Sequence, residues 1–364
     1  MQKEQTQYLN TRLAQLDDNE RKKLFKRAAL LRKIEQSRNR RRPDEESMRS
    51  RPLDEFVFKL LKDEDQEPRM GECAGQGLVT WLGPKTCRVD AGHSVVECHL
   101  SKRVSVAIGD TVDYSPSGEG FAVCRVKPRL TVLSRPDVGN GNLERVIAAN
   151  IDVVVVVVSV VAPPLHPKII DRYMIAIQRG GAKMILAVNK CDLLDEFTKI
   201  SELDKLAPYR GIVHACFCST ADGSGIGDLE NLLAGQTCAF VGHSGVGKSS
   251  LINAIAPSLN QLVGEVSAGY GRGTHTTTSS TLHKLPGGTR LIDTPGVRSF
   301  GLWDIDAATL PWYFPEFEEF SSECKFRNCT HSHEPSCAVK SASLKGSLSH
   351  HRYETYLRIL TSLE

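Results

Sequence analysis

The spacing at which apolar residues recur changes several times along this chain. Near the N-terminus Leu9, Leu13 and Leu16, and then Leu24, Ala28 and Leu31, recur at helical spacing. The Asp17-Asp18-Asn19 break between the two groups can serve as a helix N-cap, so the pattern predicts two amphipathic helices. Arg38, Arg40, Arg41 and Arg42 then lead into Pro43, and a stretch poor in apolar residues continues to about residue 70. From Gly71 to about Arg135 the texture becomes short β-like runs between turn residues: Gly77 to Trp81, Thr86 to Val89, Val95 to His99, Thr111 to Tyr114 and Gly120 to Val126. These five runs predict a small β-barrel, of which the OB-fold is one form; spacing alone does not separate it from other small barrels.

From Asn150 onward strand and helix patterns alternate. Val153 to Val158 is a continuous β-branched run, as expected of a parallel strand buried on both faces. Met184 to Val188 and Cys238 to Val241 are of the same type, each followed by a polar turn and a helical stretch, which predicts an α/β layer. The longest apolar run, Ile151 to Val161, is broken by Asp152 and Ser159 and falls short of the ~20 residues that span a membrane. After Phe300 the chain turns aromatic and acidic and enters a Cys/His cluster. It closes on a helix with Tyr353, Tyr356, Leu357 and Leu360 on one face.

With 364 residues, 40% hydrophobic and 24% charged, the composition is that of a soluble multi-domain protein and excludes a disordered or fibrous chain. The net charge of +3 changes meaning when divided: residues 1–42 carry +8, residues 43–70 carry −4, and the remainder −1. Two readings of the basic arm stay open, a solvated tail or a nucleic-acid-binding segment. The first residues have neither the apolar core of a secretory signal nor the acid-poor character of a transit peptide, which predicts a cytoplasmic protein. In that setting eleven cysteines, an odd number, point to thiols or metal ligands rather than a disulfide framework.

The strongest chemical signal is Gly242-His243-Ser244-Gly245-Val246-Gly247-Lys248-Ser249, followed by Ser250, a full GxxxxGK[ST] between a predicted strand and a predicted helix at Leu251 to Ile255. Backbone N–H groups of such a loop close around phosphates, Lys248 reaches the β- and γ-phosphates, and the Ser249 hydroxyl ligates Mg²⁺. Asp293-Thr294-Pro295-Gly296 follows a strand at Arg290 to Ile292. There Asp293 can hold the magnesium shell and the Gly296 N–H can sense the γ-phosphate. Asn189-Lys190-Cys191-Asp192 ends another strand, and the Asp192 carboxylate can accept both N1–H and N2–H₂ of guanine. Cys324, Cys329 and Cys337, with His331 or His333, supply a Cys₃His set of the kind structural zinc takes.

The motif order is unusual, because NKCD precedes the phosphate loop and DTPG follows it, whereas small GTPases ordinarily place NKxD last. A circular permutation accounts for this, since the ends of a compact domain lie close together. In this order, with an upstream barrel and a downstream Cys₃His cluster, the chain resembles the RsgA/YjeQ family of circularly permuted GTPases of small ribosomal subunit biogenesis. The resemblance covers residues from about 70 to the C-terminus and leaves residues 1–70 unaccounted for.

That resemblance implies a multi-domain α/β protein: a charged, helical or partly disordered extension at 1–70, an OB-fold-like barrel at 71–135, a circularly permuted P-loop GTPase domain at 136–300, and a helical zinc-binding domain at 301–364. It selects His331 as the fourth ligand of one structural Zn²⁺. Gly271-Arg272-Gly273-Thr274-His275-Thr276-Thr277 resembles the family's switch I, and Ser219-Thr220 resembles its guanine-supporting loop. Val297 stands where Ras-like enzymes place the water-orienting glutamine, so His275 is implied in that role, with Thr276 or Thr277 on Mg²⁺. The implied activity is hydrolysis of GTP to GDP and phosphate, stimulated by the small subunit and its rRNA, by a monomer without a membrane partner. Two alternatives stay open: a permuted GTPase serving the large subunit or another RNA, and a non-hydrolysing GTP-binding RNA scaffold.

Overall fold

The computed structural model describes residues 73–101, 104–118, 120–136, 144–259, 280–293 and 305–363, with isolated positions between 11 and 57. Most of the two helices expected between Leu9 and Leu31, and the arginine run at 38–42, lie outside these residues. The chain divides into two compact units, Gly71–Trp303 and a second made of Met1–Met70 with Asp304–Glu364.

In the first unit, β1 (Gly75–Leu82), β2 (Thr86–Asp90), β3 (Val95–His99), β4 (Thr111–Ser117) and β5 (Gly120–Val126) close on themselves in the order β1-β2-β3-β5-β4, with β4 returning to β1. All pairs are antiparallel except β3 with β5, which are parallel. This closed five-stranded ring is the expected OB-fold barrel. Its interior is built from alternate strand positions, with Val79, Cys87, Val89, Cys98, Val112 and Val123 all buried.

A two-stranded ladder, β6 (Val132–Pro136) with β7 (Glu144–Ala149), leads out of the barrel. Asn150 then adopts a left-handed conformation with φ 56°. Its amide accepts from the Leu130 N–H and donates to the Gly109 carbonyl, 2.9 Å each, fixing the exit from the ladder.

The α/β core follows: β8 (Val153–Ser159), α1 (Pro167–Gly180), β9 (Lys183–Asn189), α2 (Glu196–Asp204), β10 (His214–Phe217), α3 (Ile226–Leu233), β11 (Thr237–Val241), α4 (Lys248–Ile255), β12 (Ser280–Lys284) and β13 (Arg290–Asp293). Every residue of β8 is buried, as its unbroken valines require of a central parallel strand. The core strands lie in the order β10-β9-β8-β11-β13-β12, all parallel except β12. Beyond it, β12 pairs with β1 through Trp81 and Thr281, so barrel and core share one eleven-stranded sheet.

From β8 the chain steps outward to β9 and β10; from β11 it steps the other way, to β13 and β12. The carboxyl ends of the adjacent parallel strands β8 and β11 therefore open a crevice where the winding reverses, the place where such sheets bind ligands. Either half of a sheet arranged like this can come first in the chain, which is why a permuted motif order leaves the crevice intact.

In the second unit, α5 (Ala338–Lys345) and α6 (His350–Thr361) pack with an aromatic cluster of Phe314, Phe317, Tyr353 and Tyr356. The buried face of α6 carries Arg352, Tyr353, Thr355, Tyr356, Ile359 and Leu360, while Leu357 is half-buried. Arg352 is wholly buried because its guanidinium pairs with Glu316 at 2.6 Å and lies 4.5 Å from the centre of the Phe314 ring. Among the described residues no helix is long and apolar enough to cross a membrane.

Candidate functional site

The glycine-rich segment occupies the crevice between β8 and β11. Gly242 has φ 141° and Gly247 has φ 92°. A Cβ on Gly242 would meet the Val157 carbonyl of β8 at 2.2 Å, and one on Gly247 would meet Asn189 Nδ2 at 2.2 Å. Both positions therefore require glycine for backbone conformation and for space. The loop turns directly into α4, so its N–H groups and the helix N-terminus face one cleft of about 550 Å³, into which Lys190, Lys248 and Ser249 also project.

Three side chains lock this loop. Lys248 Nζ donates to the carbonyls of Gly242 at 2.7 Å and His243 at 2.5 Å, which holds its ammonium at the cleft. Asn189, at the end of β9, donates from Nδ2 to the Val246 carbonyl at 2.9 Å. Its Oδ1 is buried without a hydrogen-bond partner, a polar atom left for a bound group. Lys190, in a left-handed conformation with φ 65°, donates to the carbonyls of Gly245, at 2.7 Å, and Ala162. The NKCD segment thus grips the phosphate loop from across the switch point. Val246 turns its side chain into the core, so only its backbone faces this grip.

Cys191 packs back on its own strand end, its N–H bonded to the Cys218 carbonyl and its thiol to that of Val188, both at 3.2 Å. That N–H bond carries Ser219 to Asp192, where the Ser219 hydroxyl donates to Oδ1 at 2.6 Å while accepting from the Ala221 N–H. The Asp192 carboxylate, two residues beyond Lys190, is thereby held by one oxygen. On the other side, Asp293 ends β13 and lines a small cavity with Lys248, Ser249, Asn253 and His283. Burial pushes the His283 imidazole below its ordinary pKa against the opposing pull of Asp293. Ser249 and Asp293 thus share a cavity, as a shared cation would require. Gly296, Val297, Thr274, His275, Thr276 and Thr277 lie outside the described residues.

Sequence reasoning did not foresee His283 or Asn253 beside this cavity, nor the bond from Asn189 to the loop. His283 sits on a strand whose alternating polar residues gave no strand signal. The bond joins positions 57 residues apart, and no local pattern marks it.

In the second unit Cys324, Cys329, His331 and Cys337 bring one ligand atom each to within 4.8 Å of one another. His331 Nδ1 lies 3.5 Å from the sulfurs of both Cys324 and Cys337, which are 3.9 Å apart. Tetrahedral zinc, at ~2.3 Å from sulfur and ~2.0 Å from nitrogen, demands ligand separations of about 3.5–3.8 Å, so the four residues fit that ion. His333 is exposed, and its Nδ1 lies 3.0 Å from the Ser332 hydroxyl, which resolves the choice of histidine in favour of His331.

The backbone turn that aims His331 is held from two sides. Tyr353 and Tyr356 donate to the carbonyls of His331, at 2.7 Å, and Thr330. Glu334 accepts from the Thr330 N–H at 2.6 Å, the Thr330 hydroxyl at 2.7 Å and the Ser332 N–H at 3.1 Å. Those bonds outweigh burial and lower the Glu334 carboxyl to about 2. Burial also lowers the His331 imidazole, favouring the neutral form that ligates a metal.

A glycine-rich GxxxxGKS loop at the switch point of a parallel sheet, with Ser249 and Asp293 in one cavity beside Lys248 and with Asp192 held by Ser219, is the arrangement of a P-loop GTPase. The motifs sit in permuted order on it. A family model described as RsgA GTPase matches residues 126–303. The small ribosomal subunit biogenesis GTPase RsgA of Actinobacillus pleuropneumoniae is 38% identical over 305 residues, covering 82% of this chain and 88% of that protein. Its namesake from Haemophilus influenzae is 41% identical over 276 residues, 74% of this chain and 79% of the relative. Among solved structures, YjeQ from Thermotoga maritima superposes with a TM-score of 0.65 at 29% identity, covering 79% of this chain and 98% of its own. YloQ, described as a circularly permuted GTPase, gives 0.62 at 27%, with 81% and 98% covered. This chain belongs to the RsgA GTPase family.

Proposed function

We propose that this GTPase binds the small ribosomal subunit through its rRNA and assists late maturation of that subunit, hydrolysing GTP to GDP and phosphate at a rate the subunit raises. The observation that carries the reading is the OB-fold barrel continuous with the nucleotide-binding sheet. It places a fold that commonly takes RNA one strand away from β12, whose upstream segment carries the switch-like His275-Thr276-Thr277. On the barrel, Arg88 lies 5.3 Å from the centre of the Trp81 ring, a cation and an aromatic face of the sort that meets RNA backbone and bases. The relatives' name supplies the particular partner.

In the cleft, the N–H groups of residues 242–250 and Lys248 bind the phosphates, and Asn189, Lys190, Cys191 and Asp192 form the guanine end. Ser249 and Asp293, joined by Thr276 or Thr277, would hold Mg²⁺, whose charge would serve to neutralise the phosphates. The Gly296 N–H reads the γ-phosphate. His275 orients the attacking water, since Val297 has no group able to do so. The Cys₃His set holds one structural Zn²⁺, and with all four positions filled by protein it has no catalytic part. One chain supplies every named group of the site, which supports a monomer, and a ribosomal partner places it in the cytoplasm.

Multiple-turnover GTP hydrolysis measured against purified small and large subunits in parallel tests this reading. Small subunits should raise the rate at least ~10-fold and large subunits should not; the reverse pattern moves the function to the large subunit. In the same assay His275→Ala should slow single-turnover hydrolysis about 100-fold with GTP affinity retained. An unchanged rate removes His275 from the mechanism.

A further inference from the structure

Six of the eight cysteines of the first unit fall into three pairs with different access to solvent. Cys87 and Cys98 are cross-strand partners on β2 and β3 and are wholly buried. Cys216 on β10 and Cys218 just beyond its end approach to 3.6 Å and are also buried. Cys73 differs. It is exposed, precedes the first residue of β1, and its sulfur lies 3.3 Å from that of Cys124, 51 residues on.

A bulge makes this meeting possible. On β5, Arg125 opposes Asp113 and Val123 opposes Tyr114, so Cys124 is the extra residue with no partner of its own. The break in register re-aims its side chain. On the opposite edge of β4, the Ala74 N–H bonds the Tyr114 carbonyl at 2.9 Å and pins Cys73 to the same strand. Tyr114 therefore anchors both thiols. A disulfide, at ~2.05 Å between sulfurs, needs about 1.3 Å of further approach, within reach of side-chain rotation at a residue that stands outside the ladder.

We propose that Cys73 and Cys124 are a redox modification site: they form a reversible disulfide that closes the barrel strands into one covalent ring and ties down the point where residues 1–72 join them. The oxidant class is a low-molecular-weight disulfide such as oxidised glutathione. Cys73 thiolate attacks it and expels one glutathione thiolate, leaving a mixed disulfide. The Cys124 thiol then loses its proton to water, its thiolate attacks the Cys73 sulfur, and a second glutathione thiolate departs. Two protein thiols and one oxidised glutathione become a protein disulfide and two glutathione thiols, and an external dithiol reverses the exchange. Burial and the neighbouring Cys73 thiol push the Cys124 thiol of the reduced pair up to about 11; in the mixed disulfide the Cys73 thiol is gone but burial still raises Cys124, so closure through its thiolate quickens with pH across the neutral range.

The test uses the full-length, zinc-loaded, fully reduced chain. It is exposed to oxidised glutathione, quenched by alkylation at intervals and peptide-mapped by mass spectrometry. The expected product is a linked Cys73–Cys124 peptide, formed from a transient glutathione adduct on Cys73 and faster at pH 8.5 than at 7.5. Cys124→Ser should stop at a stable adduct on Cys73, and Cys73→Ser should yield no linked peptide, with basal GTP hydrolysis confirming that both variants are folded. A wild-type chain that stops at the adduct, or one whose Cys73 links instead to another cysteine, overturns the proposal.

Discussion

The nucleotide cleft and the Cys₃His cluster solve opposite problems. The cleft gathers groups spread over about a hundred residues, from Asn189 to Asp293, and prearranges them with the chain's own bonds: Asn189 to Val246, Lys190 to Gly245, Lys248 to Gly242, Ser219 to Asp192. Its geometry is therefore a property of the fold, and a ligand finds it ready. The cluster gathers four residues from fourteen and encloses sulfurs and a nitrogen with no cation of the protein's own among them. Burial raises the thiols of Cys329 and Cys337, so their ionised, ligating form depends on the metal. The hydrogen bonds around the cluster hold its backbone turn, and the four ligand atoms at its centre are a set that an ion would complete.

The largest effect that would test this contrast is metal removal. Structural zinc in small domains is worth about 10–16 kcal/mol of apparent binding free energy. A strong chelator should accordingly abolish amide-exchange protection around α5 and α6, because Tyr353 and Tyr356 lose the carbonyls they anchor. Affinity for a GTP analogue should change less than about threefold. A large loss of nucleotide affinity would break the contrast by making the cleft depend on the metal.

The effect next in size strikes the prearrangement of the cleft. Asn189→Ala leaves the buried Val246 carbonyl unpaired and removes the grip of β9 on the loop, a change of about 1–3 kcal/mol. GTP affinity, read by fluorescent-analogue titration, should fall about 10–100-fold with zinc content unchanged. A fall below threefold would mean that the loop holds its shape without the lock.

How much of each region could be read from sequence follows from the same difference. The metal set was legible because neighbouring ligands announce themselves by spacing; spacing alone left His331 or His333 open, the family resemblance selected His331, and the structure puts its Nδ1 3.5 Å from two of the sulfurs while His333 turns to Ser332. The phosphate loop, NKCD and Asp293 were legible because backbone-binding motifs are local. The β8, β9 and β11 strands were legible too, since strands buried on both faces read as unbroken apolar runs. What stayed hidden was the ladder of β6 and β7, then β10, four residues long at the sheet edge, and β12, whose Ser-Thr-Leu-His-Lys sequence alternates too weakly to stand out. An edge strand such as β10 is kept short, and the ladders that hold β12 between β13 and β1 are non-local. The pairing of β12 with β1, which merges barrel and core into a single unit, leaves no mark on either segment alone.

The smallest effect falls on the turn that supports the cluster. Glu334 accepts two bonds through Oε1 and one through Oε2, all from Thr330 and Ser332. Glu334→Gln keeps the shape and one acceptor oxygen but sets an amide N–H₂ against the Ser332 N–H and removes the charge that strengthens all three bonds. A loss of about 2 kcal/mol follows, seen as a fall of about 10 °C in the melting temperature of the second unit. Its pH dependence identifies the cause. The carboxyl lies lower in the folded chain, at about 2 against an ordinary 4.5, so its contribution is complete above about pH 4.5 and is lost as pH falls toward 2. The gap between wild type and Glu334→Gln should therefore stay constant from pH 6 to 8, well above the range in which Glu334 titrates. A gap that varies across that range would assign the effect to His331 and the metal rather than to the carboxylate, and the turn would then be held by the ion as well.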